Sequence, residues 1–203
     1  MSDYMESCMD FSPLFESGNS FKLEKSDFHE KVCGGVKTVE FVTLQKKNKI
    51  YFIEAKRTAP DPNNPDSKEQ RAIYYQDLYE KIHMSIDMIV SKEVGVNPDN
   101  DKEFPECLNH ITFANLKLVF LLVIRNSEKK WCDEVKVTLN KKLLALRRIW
   151  KLDVIVLSGD DAISNKFVSG FVCKSDDSAW GGYQDCPRTA CVRNFPANEG
   201  GLK

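Results

Sequence analysis

Residues 37–58, KTVEFVTLQKKNKIYFIEAKRT, read as two extended runs joined by a short polar turn. Val39, Phe41 and Thr43 alternate with Glu40, Val42 and Leu44, and Tyr51, Ile53 and Ala55 alternate with Phe52, Glu54 and Lys56. β-branched and aromatic residues dominate both runs, and Lys46-Lys47-Asn48-Lys49 interrupts them, which predicts a hairpin. A turn centred near Lys47 sets Glu40 directly opposite Glu54, with Lys56 on the same face as Glu54. Opposed side chains start roughly 5 Å apart, and like charges there repel. The flanking residues are apolar, so the two carboxylates must share a proton, take a cationic partner or bind a metal. A one-residue slip would send them to opposite faces.

The rest of the chain supplies partners for this hairpin. Ser26 is an N-cap for a short helix, SDFHEKVC, and Gly34-Gly35 is its stop. After the hairpin, Pro60, Pro62 and Pro65 force an irregular loop. Ser67 and Gln70 have capping-box spacing, and Tyr74, Leu78, Ile82, Ile86, Ile89 and Val90 predict a long helix with one buried face, ending near Gly95. Residues 97–105 read as an acidic loop with two prolines. Residues 116–124, LKLVFLLVI, form a nearly continuous apolar run, as expected of a strand buried on both faces. Asn126 or Ser127 caps a second helix striped by Trp131, Val135, Leu139, Leu143, Leu146 and Trp150, and DVIVL at 153–157 is a further strand. Strand, helix, strand in that order predicts a right-handed parallel crossover.

The expected architecture is a three-layer α/β/α sandwich around a mixed central sheet. Residues 1–25 form an acidic N-terminal segment with a short helix near residues 9–16. Residues 26–157 form the core, and residues 158–203 a largely irregular extension. A chain of 203 residues suffices for one domain with a substantial core. The acidic N-terminus resembles no secretory leader, and no apolar run is long enough to span a bilayer, so the cytoplasm and no membrane are expected. Seven cysteines, an odd number, fit reduced thiols better than a disulfide framework.

An acid on the first strand and Glu54-Ala55-Lys56 at the end of the second, followed by a helix and a buried strand, resemble the PD-(D/E)XK nuclease-like superfamily, whose core is restriction-endonuclease-like. The resemblance spans roughly residues 26–124. It departs from the usual pattern in having Glu40 where Asp is commoner, with no Pro-Asp before it. It implies metal-assisted phosphodiester hydrolysis with Mg²⁺ or Mn²⁺. Glu40, Glu54 and the backbone carbonyl of Ala55 would supply metal oxygens. Lys56 would orient or deprotonate the attacking water, or neutralise developing charge. A further acid often lies on the helix before the hairpin in this superfamily: Glu30 is the candidate and Glu16 the reserve. Gln70 is a candidate to face the site from the next helix. Some members have lost catalysis, so the alternative is a non-catalytic interaction or nucleic-acid-binding protein on the same fold. A Glu–Lys pair on one strand face is, by itself, most often a structural ion pair.

The net charge of −1 gives no global attraction to nucleic acid. Basic residues nevertheless cluster on the hairpin (Lys37, Lys46, Lys47, Lys49, Lys56, Arg57) and on the second helix (Lys129, Lys130, Lys136, Lys141, Lys142, Arg147, Arg148, Lys151). Such segregation can make a local patch that tracks phosphates, although the polar face of any surface helix is charged. A protein partner or a second copy of the chain is the other expectation. Cys173, Cys186 and Cys191 lack the paired spacing of a zinc site, and His29, His83 and His110 are widely separated.

Overall fold

The computed structural model describes residues 4–171, apart from 46–47, 62–63, 99–101, 110, 112–115 and the side chain of Cys33. Lys46, Lys47, His110, Cys173, Cys186 and Cys191, and most of the expected C-terminal extension, lie outside the described residues.

The chain runs β1 (Met5–Glu6), β2 (Met9–Asp10), β3 (Ser20–Lys22), α1 (Asp27–Cys33), β4 (Phe41–Gln45), β5 (Lys49–Lys56), α2 (Lys68–Glu93), β6 (Lys117–Ile124), α3 (Lys129–Lys142), α4 (Leu144–Trp150), β7 (Asp153–Ser158), α5 (Gly159–Ser164) and β8 (Gly170–Phe171). It is a mixed α/β fold on a five-stranded sheet ordered β3-β4-β5-β6-β7. β3, β4 and β5 pair antiparallel, while β5, β6 and β7 pair parallel. A separate small sheet is ordered β1-β2-β8.

The hairpin has the register centred on Lys47, running from Phe41↔Ile53 to Gln45↔Lys49. β6 lies between β5 and β7, and Leu118 to Ile124 are all buried in it. That is why its sequence shows no alternation: both faces are covered. On one face Phe52, Phe120, Leu122 and Val154 pack with Leu78, Ile82, Ile86 and Ile89 of α2 and with Val135 and Leu139 of α3. On the other face Phe41, Ile53, Ala55, Leu121 and Val123 pack with Met9 and Phe11, Ala162 of α5 and Phe171 of β8. Each of the larger of these side chains contributes about 1.5–3 kcal/mol by leaving water.

Several expectations need correcting. The helix expected near residues 9–16 is instead β2 followed by one 3-10 turn at Ser12–Leu14, because Met9 pairs with Phe171 and Phe11 is drawn into the core. The N-terminal segment also supplies the edge strand β3. Ser67 does not form a capping box: its hydroxyl donates to the Asp61 and Asn64 carbonyls, and Asn64 caps the preceding turn. The cap expected at Asn126 or Ser127 falls at Glu128, without a side-chain bond, and the second helix breaks at Leu143 into α3 and α4. Ser26 caps α1 as expected, its side chain accepting from the His29 amide, and α2 ends before Gly95 at φ +76°. After β7 the chain forms α5 and β8. Cys8, Cys107 and Cys132 are free thiols. No helix among the described residues is long and apolar enough to cross a membrane.

Candidate active site: a carboxylate–lysine cluster

Three local features assemble the site. The Leu23 amide donates to the Glu40 carbonyl at 2.9 Å, which brings Glu24, just after β3, beside Glu40, just before β4. The hairpin register carries Glu40 towards Glu54 on β5. The Val39 amide donates to Ser85 Oγ at 2.9 Å, and that hydroxyl donates to the Lys81 carbonyl at 2.6 Å, so α2 is fixed against the entrance to β4. Lys81 thereby points into the acids.

Lys81 Nζ lies 3.0 Å from Glu54 Oε1, 3.2 Å from Glu24 Oε1 and 3.6 Å from Glu40 Oε1. Glu54 Oε1 also takes Lys56 Nζ at 2.9 Å. Lys56 reaches Asp77 Oδ2 at 3.3 Å, and Lys37 pairs with the other Asp77 oxygen. The Glu54 side chain is 0% exposed, whereas that of Lys56 is 26% exposed. The cluster therefore has a closed interior of Glu40, Glu54 and Lys81, and an accessible rim of Glu24, Lys56, Asp77 and Lys37.

Burial pushes the Glu40 carboxyl up to about 9, helped by its hydrogen bond with Glu24 and the charge of Glu54. A hydrogen bond between two carboxyls requires a proton on one of them, and no donor reaches the buried Glu40 Oε2. Of the two, Glu40 is the one whose protonated form burial favours. Burial alone would raise Glu24, but the bond from Glu40 and the Lys81 ammonium hold it below the usual range. Burial also raises Glu54, opposed by Lys81 and Lys56. The two ammoniums on one Glu54 oxygen favour its ionised form, whereas Glu40 has only the more distant Lys81 at 3.6 Å. Lys81 and Lys56 are raised: burial would lower both, but the surrounding carboxylates outweigh it. Asp77 is lowered, its partial burial outweighed by Lys37 and Lys56. Four carboxyl groups (Glu24, Glu40, Glu54, Asp77) thus face three lysines (Lys37, Lys56, Lys81), and burial favours a proton on Glu40.

The expected residues fall into groups. Glu40, Glu54 and Lys56 come together. The Ala55 carbonyl accepts a hydrogen bond from Ser7 Oγ at 3.1 Å. Glu30 is exposed on α1, Glu16 is exposed, and Gln70 is exposed on the first turn of α2; none joins the cluster. Arg57 is half-buried, its guanidinium donating to Cys8 Sγ at 2.7 Å. Lys49 begins β5, at the far end from Lys56, and seven strand rises separate them by about 23 Å. Lys49 therefore does not border the acids. Lys141 and Arg148 are exposed on α3 and α4, and Lys142 donates to Gln76 of α2 at 2.7 Å. His29 bonds the Val36 carbonyl, and His83 faces Asp87 on the same helix. Both lie outside the cluster.

Lys81, Glu24 and Asp77 are the residues that sequence reasoning missed. Lys81 did leave a trace: it lies on the buried stripe of α2, three residues after Leu78 and one before Ile82. A lysine in such a stripe needs a buried partner.

The carboxylates suit a hard divalent cation in chemistry, and Glu40 Oε2 meets no donor. Among the described residues, however, no group of three or more His, Cys, Asp or Glu is arranged to hold a metal ion as it stands. The Lys81 ammonium is the cation at the centre of the three glutamates. Comparison of the chain with protein-family models, with curated proteins and with solved structures finds no match.

Proposed function

We propose that this chain carries out metal-assisted hydrolysis of nucleic-acid phosphodiesters on a restriction-endonuclease-like core. One observation carries the reading: Glu24, Glu40 and Glu54 converge on a single cationic point, with Lys56 beside them and partly open to solvent. The element order adds support, since an antiparallel β3-β4-β5 unit followed by α2 and a parallel β6 agrees with the resemblance drawn from Glu40 and Glu54-Ala55-Lys56.

Glu40, Glu54, the Ala55 carbonyl and Glu24 would hold Mg²⁺ or Mn²⁺, with Lys81 giving up its place. When bound, such an ion supplies Lewis-acid stabilisation and an activated water. Glu54 Oε1 holds the Lys56 ammonium beside the site. Because the neighbouring carboxylates keep Lys56 charged, its fitting role is to orient water and neutralise charge on a phosphoryl oxygen, rather than to remove a proton. α2 and α3 cover the sheet face that carries Phe52, and Lys142 ties the basic end of α3 to α2. Lys141 and Arg148 are the candidate phosphate contacts on that side.

The second reading is a non-catalytic interaction protein on the same core. It is favoured by the closed, charge-balanced network in which Lys81 already satisfies the acids. Cleavage of labelled single- and double-stranded DNA and RNA with Mn²⁺ or Mg²⁺ separates the two. The hydrolytic reading expects metal-dependent cleavage of at least one substrate, lost in Glu40→Gln and reduced roughly 10²-fold or more in Lys56→Met. Absence of cleavage on every substrate by a protein that has bound the metal would establish the second reading.

A further inference from the structure

β1 and β2 form a hairpin whose register, Glu6↔Met9, leaves a two-residue loop of Ser7 and Cys8. Both residues are left-handed, at φ +49° and +59°. Such a loop is ordinarily made by Asn and Gly, and a non-glycine residue held left-handed is strained. The strain persists because the tip is held from outside. Ser7 Oγ donates to the Ala55 carbonyl at 3.1 Å, and Arg57 donates to Cys8 Sγ at 2.7 Å. The tip therefore grips the residues on either side of Lys56. Glu6 reaches Lys25 at 3.4 Å across an exposed pair, and its charge is felt at Glu40.

The stem differs from the tip. Met9 and Phe11 are 0% exposed, β2 pairs with β8, and Phe11 packs 5.0 Å from Phe41. Residues 5–8 are only half-buried. Lifting the tip breaks the Ser7–Ala55 and Arg57–Cys8 hydrogen bonds and the solvated Glu6–Lys25 pair, and it relaxes two strained residues while the stem stays in the core.

The geometry points to the β1–β2 tip as a latch over the Lys56 end of β5. Closed, it occupies the Ala55 carbonyl and covers the approach between Glu40 and Arg57. Open, it presents that carbonyl and the Arg57 guanidinium to an anionic, phosphate-bearing ligand. The ligand's identity rests on the hydrolytic reading above; the opening itself does not.

The test follows Cys8 in the full chain by peptide-resolved mass spectrometry after brief alkylation, with amide exchange read at residues 9–11. A latch predicts that Ser7→Ala speeds Cys8 labelling at least tenfold without loosening residues 9–11 or lowering Tm. It also predicts that labelling is insensitive to low urea, as local opening is. Mn²⁺ with a short phosphorothioate oligonucleotide should speed Cys8 labelling in wild type, and Ser7→Ala should bind that probe more tightly. Cys8 labelling that requires global unfolding, or that Ser7→Ala leaves unchanged, overturns the latch. If the probe does not bind but Ser7→Ala still opens the tip locally, the latch stands and the hydrolytic reading fails. If the probe binds while the tip stays protected, the latch fails and the reading survives.

Discussion

The proton on Glu40 has measurable consequences. Its carboxyl rises from an ordinary 4.5 to about 9 in the folded chain. Between those values the unfolded chain is ionised while the folded chain keeps its proton, so this group's stabilisation is complete below about pH 4.5 and is lost as pH rises towards 9. Glu24 and Asp77 are shifted down, so their contribution is lost at the acid end, as pH falls through their depressed values. The cluster is therefore most stabilising in mildly acidic solution. Tm should decline from pH 5 to pH 9, and Glu40→Gln, which imitates the protonated acid, should flatten that decline and give the more stable protein at pH 8.5. A wild-type Tm that rises over this range would contradict the assignment. Glu54 behaves differently. Glu54→Gln leaves Lys81 and Lys56 without their shared carboxylate, a loss of about 3 kcal/mol in urea denaturation, at the low end for a broken buried pair because Glu40 can release its proton to compensate. Equal stability of the Glu40→Gln and Glu54→Gln proteins would show that the two acids are not in different protonation states.

The elements were legible where a single local rule governs them. The hairpin register followed from the polar turn at residues 46–49, and the interior position of β6 from its unbroken apolar run. The N-terminal segment was not legible, because β1, β2 and β3 are two or three residues long and owe their form to distant partners. The break at Leu143 was hidden too, since the apolar stripe continues through it into α4. Two substitutions test these packing claims. Leu121, 0% exposed in the interior strand β6, has no partner for a charge, so Leu121→Asp should yield no cooperatively folded protein by calorimetry. Gly159 starts α5 against β6: a Cβ there would lie 2.8 Å from the Arg125 carbonyl oxygen and 2.6 Å from Phe171. Gly159→Ala should cost about 1–3 kcal/mol in urea denaturation, because backbone as well as a ring must move.

Across the whole molecule the sheet joins pieces that the sequence keeps apart. Glu24 comes from the end of an edge strand, Glu40 and Glu54 from the hairpin, and Lys81 and Asp77 from the helix that crosses over it. The opposition of Glu40 and Glu54 could be read from register alone, together with the requirement for a proton, a cation or a metal. The structure supplies a cation, Lys81, and burial favours a proton on Glu40. Which side chain supplies the cation depends on how α2 lies on the sheet, and that is set by packing and by the Ser85–Val39 hydrogen bond rather than by a local pattern. Lys49 shows the reverse: on the same strand as the Glu–Lys motif, it sits a strand length away from it.

The central claim is that this proton-and-lysine cluster can exchange its internal cations for a divalent ion. The most direct measurement is calorimetric titration of Mn²⁺ into wild type and Glu40→Gln at pH 8, with Tm confirming that both are folded. The account predicts binding to wild type, accompanied by proton release, and its loss in Glu40→Gln. No binding to wild type, or the same affinity in both proteins, would contradict it and leave the cluster as a structural ion-pair network.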